Sequence, residues 1–232
     1  MARLGYRIVT ATMSNLIDKF VHATNPLHAR PPRACGGLTL IKVLSRYGIE
    51  RSIHDVWPHI SRPGLRGQRC ARSFLIGKYA ADSGLSAAVI QCHRATAWAG
   101  LMTCASNGLQ VIINHRATND GTSDAVREGH FTVLNAISHD SIELDDPTVG
   151  KIRRLSRQSF MDLWQPNYET AGFVFIAMSA EARVDGSQNI ASCPRCGSEI
   201  RFQPRVLFDP LHWHPGGCFK RFFCLGCDAA FC

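Results

Sequence analysis

The 232-residue chain has no apolar run long enough to cross a membrane, and its start, MARLGYRIVTATMSNLIDKF, lacks the uninterrupted apolar stretch and small-residue cleavage site of a secretory signal. The expected compartment is the cytoplasm, or the outside by way of a dedicated machinery that needs no cleavable signal. The sequence also has no GxxxxGK[ST] phosphate loop, no HExxH metalloprotease motif, and none of the aromatic and glycine pattern of an RNA-binding sheet. Acidic residues are scarce: 18 Asp and Glu against 26 Lys and Arg give a formal charge of +8. That balance favours acidic partners. The arginines, however, are spread as a diffuse basic surface, and sequence-directed nucleic-acid binding is not expected. With 45% hydrophobic and 19% charged residues, the composition excludes disorder and suits one good core plus a small appendage.

Cysteine is plentiful but unevenly placed. Six of the ten fall after residue 190, which points to metal rather than a disulfide framework. CPRCG at 193–197 and CLGCDAAF at 224–231 are two CxxC knuckles. Cys193, Cys196, Cys224 and Cys227 are the expected ligands of a structural Zn²⁺, with RFQPRVLF and FKRFF as the strands of a ribbon-like hairpin. Cys218, Cys232, His212 and His214 stand close enough to compete as ligands. Neither CxxC follows a βαβ pattern, so a thioredoxin-like role is not expected. The tail has too few apolar residues to fold by burial alone, so metal is expected to complete it. Its Arg195, Arg201, Arg205, Lys220 and Arg221 suit recognition of a protein partner or substrate.

Upstream, Pro31 and Pro32 disfavour helix, and a helix is expected to open just after them at Cys35, carried by Leu38, Ile41 and Leu44 and ended by Gly48. Ser52 caps a short helix, IHDVW, before Pro58, and ARSFLIGKYAADSG is a further helix stopped by Gly84. The period then changes. SAAVIQC and LQVIINHR are strands flanking the helical ATAWAGLMTCA; HFTVLNAI and SIELDD form a hairpin about His139 and Asp140; SRQSFMDLW is a capped helix and GFVFIAMS a last strand. The expected architecture is α+β, with N-terminal helices packed on an antiparallel sheet. The expected organisation is an extension over 1–27, a domain over 28–182, a linker over 183–192 and a Cys-rich module over 193–232.

Three residues in the domain form a candidate catalytic set. Cys35 opens a helix, where the partial positive charge of the N-terminus and a nearby imidazole favour a nucleophilic sulfur. Gly36 and Gly37 leave room for a substrate backbone, and the Cys35 N–H can face a developing oxyanion. His130 opens one hairpin strand and Asp146 closes the other, so the two come roughly opposite and the carboxylate can orient the ring. Each has a plainer alternative: a structural buried thiol, a strand-terminal polar residue, an Asp-Pro turn. Their joint order on these elements favours a Cys-His-Asp triad.

These segments resemble the bacteriocin-processing, double-glycine leader peptidases of the papain-like superfamily. RACGGLTLIKVLSRYGIERSIHDV matches the family's Cys-Gly helix, HFTVLNAI its His strand, DDPTVGKIRRLS its Asp-Pro, and QSFMDLW with GFVFIAMS its closing helix and apolar strand, over roughly residues 28–180. The resemblance implies a papain-like fold in which Cys35 is the nucleophile, His130 the general base and Asp146 its orienting partner. The chain departs from the family at the Gln that supplies a second oxyanion donor and at the acidic residue before the Cys, where it has Ala29, His28 and Ala34. His28, Asn25, Gln68 and Gln91 are substitute candidates for that donor. The transporter portions that usually accompany such a domain are missing.

The expected function is that of a papain-like cysteine hydrolase cutting a peptide or amide bond, either a protease or a glutamine deamidase of the effector or toxin kind. The alternative is a weak or inactive peptidase-like module that holds a peptide in its cleft and docks a protein partner through the zinc ribbon. A zinc-ribbon nucleic-acid adaptor is a third class, which requires binding that falls steeply with salt.

Overall fold

The computed structural model describes residues 34–64, 67–116, 129–166, 171–180, 190–214 and 216–231. The expected N-terminal extension, with Asn25 and His28, lies outside the described residues, as does Cys232. In chain order the elements are α1 (Cys35–Arg46), α2 (Ile53–Ile60), β1 (Ser61–Pro63), β2 (Arg69–Ala71), α3 (Ser73–Asp82), β3 (Ser86–Cys92), α4 (Ala97–Ser106), β4 (Gln110–Arg116), β5 (Gly129–Ile137), β6 (Ser141–Asp146), β7 (Lys151–Ser156), α5 (Arg157–Leu163), β8 (Val174–Ser179), β9 (Ile190–Ser192), β10 (Glu199–Arg201), β11 (Phe219–Phe223) and β12 (Ala230–Phe231).

Helix α1 ends as its sequence requires. Gly48 takes φ +74°, its N–H bonds the Ser45 carbonyl, and the Ile49 N–H bonds Leu44, the paired bonds of a left-handed helix stop. Helix α2 begins at a capping box, with Ser52 accepting from the Asp55 N–H and Asp55 accepting from the Ser52 N–H. It does not stop before Pro58 but runs through it to Ile60. A proline removes one ladder bond; burial of Val56, Trp57 and Ile60, at about 1.5–3 kcal/mol for a large apolar side chain, outweighs that loss.

Eight strands form one sheet, all neighbours antiparallel, in the order β12-β11-β3-β8-β4-β5-β6-β7. Alternation along the strands divides the core in two. Ala87, Val89, Ile112, Val133, Ile176 and Met178 pack under Leu40, Leu44, Trp57, Ile60 and Ile76 of α1–α3. Their sequence neighbours Ala88, Ile90, Val111, Ile113, Phe175 and Ala177 pack on the opposite face with Trp98 and Leu101 of α4 and Phe160 of α5. The N-terminal helices therefore lie on an antiparallel sheet as expected, and the later helices cover its other face. All seven residues of β3 are buried, which is why SAAVIQC carries no polar alternation.

The tail departs from the expected hairpin. Glu199–Arg201 pairs with Ile190–Ser192, while Arg205–Phe208 is a 3₁₀ turn, because Pro204 offers no N–H to continue a ladder. FKRFF is a strand, but it joins the large sheet: Phe222 pairs with Ile90 and Phe223 with Val89. Phe208 and Trp213 stack with ring centroids 5.7 Å apart, and Phe222 sets its edge against both. With Phe219 and Leu207 in the main core, the tail buries more apolar surface than its composition promised.

Candidate active site and metal centre

Cys35 is the first residue of α1, and Ala34 before it provides no side-chain cap. The ladder starts with the Leu38 N–H on the Ala34 carbonyl, so the preceding first-turn N–H groups lie outside it and the positive end of the helix falls at the sulfur. Gly36 and Gly37 answer to packing, not to substrate access. A methyl at Gly36 would stand 2.5 Å from the Ala71 Cβ, and one at Gly37 2.4 Å from the Ile53 Cδ1. The two glycines let α1 settle onto β2 and α2.

The structure brings Cys35, His130 and Asp146 together. His130 Nε2 lies 2.7 Å from Asp146 Oδ2, and the His130 ring also hydrogen-bonds the Cys35 side chain. With Nε2 on the carboxylate, Nδ1 is the nitrogen left for the sulfur. Burial draws the imidazole toward its neutral form, but the bonds to Asp146 and Cys35 outweigh it and its pKa is pushed up to about 9. Burial also works against the Asp146 carboxylate; the hydrogen bond from His130 and the Thr148 backbone N–H at 2.9 Å still hold its pKa below the usual value.

The doubled aspartate is split by alternation. Asp146 closes β6 toward His130, while Asp145 turns to the other face and takes Lys42 Nζ at 2.5 Å and Arg46 Nη2 at 3.6 Å, both from α1. One carboxylate holds the imidazole; its neighbour fastens the helix that carries the thiol.

Sequence reasoning missed His115. It pairs with His130 across β4 and β5 and packs edge-on against its ring, centroids 5.6 Å apart. Its Nδ1 donates to the Arg116 carbonyl at 2.6 Å, so Nε2, 3.1 Å from Thr132 Oγ1, is the acceptor. Burial, then the neighbouring His130, pushes its pKa down to about 4, and the ring is neutral. Only the β4–β5 register could have revealed it, and the residues joining these strands, 117–128, are too many for a turn to fix that register.

Of the substitute oxyanion candidates, Gln91 and Gln68 fall among the described residues. Gln91 is buried in structural bonds, donating to the Ala171 and Gly172 carbonyls and accepting from Arg221. Gln68 is exposed beside a turn, and His28 and Asn25 lie outside the described residues.

In the tail, the sulfurs of Cys193, Cys196, Cys224 and Cys227 all lie within 4.8 Å of one another. Cys193 and Cys227 are 3.7 Å apart and Cys196 and Cys224 3.8 Å apart, close to the roughly 3.8 Å edge of a tetrahedron with metal–sulfur bonds of about 2.3 Å. The knuckles repeat one geometry: Gly197 N–H bonds Cys193 O and Cys193 N–H bonds Ser198 O, as Asp228 bonds Cys224 and Cys224 bonds Ala229. These residues fit a metal ion. Of the competing ligands among the described residues, His212 packs on the Phe219 ring, His214 Nδ1 accepts from the Gly216 N–H, and Cys218 packs against the main core.

No protein-family model matches the chain, and no curated protein matches it. Among solved structures the chain is similar to the peptidase domain of Streptococcus ComA, a bifunctional ABC transporter involved in a quorum-sensing pathway, at 18% identity and TM-score 0.47, over 66% of this chain and 96% of that one. It is also similar to a C39-like peptidase from Bacillus anthracis at 16% identity and TM-score 0.49, over 67% of this chain and 92% of that one. Among the described residues no helix is long and apolar enough to cross a membrane.

Proposed function

We propose that this chain is a thiol hydrolase of peptide or amide bonds, with Cys35 as nucleophile, His130 as proton carrier and Asp146 as the group that holds the imidazole. The observation that carries this reading is the placement of His130 between the Asp146 carboxylate at 2.7 Å and a sulfur at the uncapped start of α1. The imidazolium and the helix end both stabilise negative charge on that sulfur. Cys35 Sγ adds to the carbonyl carbon, and the Cys35 N–H faces the resulting oxyanion. The C–N bond breaks as His130 hands its proton to the departing nitrogen, leaving a thioester. Water then adds as the imidazole takes its proton, and the acid and free thiol are released.

Main-chain proteolysis and glutamine deamidation share these steps and differ in the departing group, an amine or ammonia. In the tail, Cys193, Cys196, Cys224 and Cys227 would hold a structural Zn²⁺, a closed four-thiolate set that leaves no position for substrate.

The test is digestion of a proteome-derived peptide library, read by mass spectrometry for new termini and for Gln-to-Glu conversion, with Cys35→Ala beside the wild type. Products of either kind that vanish in the variant are expected. A wild type that yields neither, or products that persist without Cys35, overturns the reading.

A further inference from the structure

Beside the tail, the large sheet is short of the end of one strand. The Cys92 N–H bonds the Phe173 carbonyl on the β8 side and the His93 N–H bonds the Cys218 carbonyl on the β11 side, so alternation turns the main-chain groups of Gln91, Val89 and Ala87 toward β11. β11 reaches only the first two. Its last pair is Phe223 with Val89, after which the Cys224 N–H bonds the Ala229 carbonyl and the chain folds into its knuckle. Ala87 is buried, yet it has no strand partner on that side among the described residues. Buried main-chain groups without a partner are rare in folded proteins.

A cavity of about 290 Å³ opens at this point, lined by residues 86–89 of the chain and by all of β10. Successive side chains of a strand point to opposite faces, so a cavity touching four in a row runs along the edge of β3. β10 is paired on one side only, with β9. The Cys193 N–H on the Ser198 carbonyl sets that ladder, so Glu199 and Arg201 turn their main-chain groups away from β9. Within the cavity, Gln203 is 3% exposed and accepts from Ser86 Oγ at 3.1 Å; its Nε2 has no partner among the described residues. The charges at the cavity are already matched, Lys78 with Asp82 at 2.6 Å and Arg201 with Glu199. A charged ligand would lose its hydration beside Leu85, Ile200, Phe208, Phe222 and Leu225 and gain no free counter-charge. An extended peptide instead brings N–H and C=O groups at the spacing of β3, a carbonyl for Gln203, and apolar side chains to fill the space.

We propose that this cavity is a docking site for an extended, uncharged segment of another polypeptide, which continues the line of β11 by pairing with Ala87 and sets a main-chain carbonyl on Gln203 Nε2. The site is built from β3 and the tail, and it is independent of the thiol-hydrolase reading. It gives the Cys-rich module a binding role that needs no open position on a metal.

The probe is a blocked, uncharged pentapeptide, with valine, alanine and valine between two serines, titrated into the isotope-labelled full chain with Zn²⁺ present and followed by NMR. Saturable movement of the Ala87 amide resonance is expected. The same peptide N-methylated at its inner amides keeps every side chain but cannot pair as a strand, and it is expected to bind about tenfold more weakly or worse. Gln203→Met keeps the length of the side chain without its donor and is expected to weaken the unmethylated peptide several-fold. The two peptides are compared in the wild type, so that result does not depend on how the variant folds. No saturable movement at Ala87, or equal binding of the two peptides, overturns the docking site. Binding untouched by Gln203→Met overturns the contact with Gln203 and leaves the strand pairing in place.

Discussion

At the scale of single residues, the His130–Asp146 pair ties charge to folding. The His130 ring has its pKa raised from 6.5 to about 9, so its contribution to stability is complete below the unfolded value and is lost as pH rises through about 9. Asp146 is lowered from 3.8, so its contribution is present above that value and is lost as pH falls through the lower folded value. Between these limits both partners are charged and paired. The urea midpoint of the wild type is therefore expected to fall between about pH 6.5 and pH 9.5, and His130→Gln to flatten that slope; equal slopes would contradict the pairing. The thiol, the imidazole and the carboxylate were legible because their positions relative to helix and strand ends follow from local pattern. His115 was not, since an imidazole in LQVIINHR acquires meaning only from the strands beside it.

At the scale of elements, α1 is held in three ways that bear on Cys35. Gly36 and Gly37 admit Ala71 and Ile53, Asp145 takes Lys42 and Arg46, and Tyr47 Oη donates to the Met178 carbonyl at 3.1 Å. The contact at Gly36 is with a Cβ, which cannot swing aside, whereas that at Gly37 is with the end of a flexible side chain. Gly36→Ala is expected to cost roughly 1–3 kcal/mol of stability and to slow Cys35 alkylation, because α1 must lift from β2. Gly37→Ala is expected to cost less; comparing their thermal unfolding and labelling checks the order. Helix limits and the central strands were readable from caps and periodicity. The run of α2 through Pro58 was not, because burial of Trp57 and Ile60 decides it rather than local propensity.

At the scale of the whole molecule, the tail is attached by a strand and by aromatic packing as well as by its thiolates. β11 pairs with β3, and β3, β8 and β4 separate it from β5, which carries His130. Removing metal with a chelator is therefore expected to loosen the knuckles and the β9–β10 pair while leaving β11 on the sheet and Cys35 labelling unchanged. Hydrogen exchange of residues 190–201 and 224–231, set against that of β3, checks this; loss of protection in β3, or a fall in labelling, would show that metal supports the whole fold. The four-thiolate cluster was evident in the sequence from spacing alone. The strand partner of FKRFF was not, since a five-residue apolar run does not say which edge it will complete.

The most direct measurement is the rate of iodoacetamide alkylation of Cys35 against pH, read by peptide mass spectrometry in the wild type and in His130→Ala. A sulfur paired with His130 predicts rapid labelling below pH 7 that is lost in the variant, with rates differing by at least about tenfold. Slow labelling with one shared pH profile in both proteins would contradict the catalytic pair and leave a fold that binds peptides without cutting them.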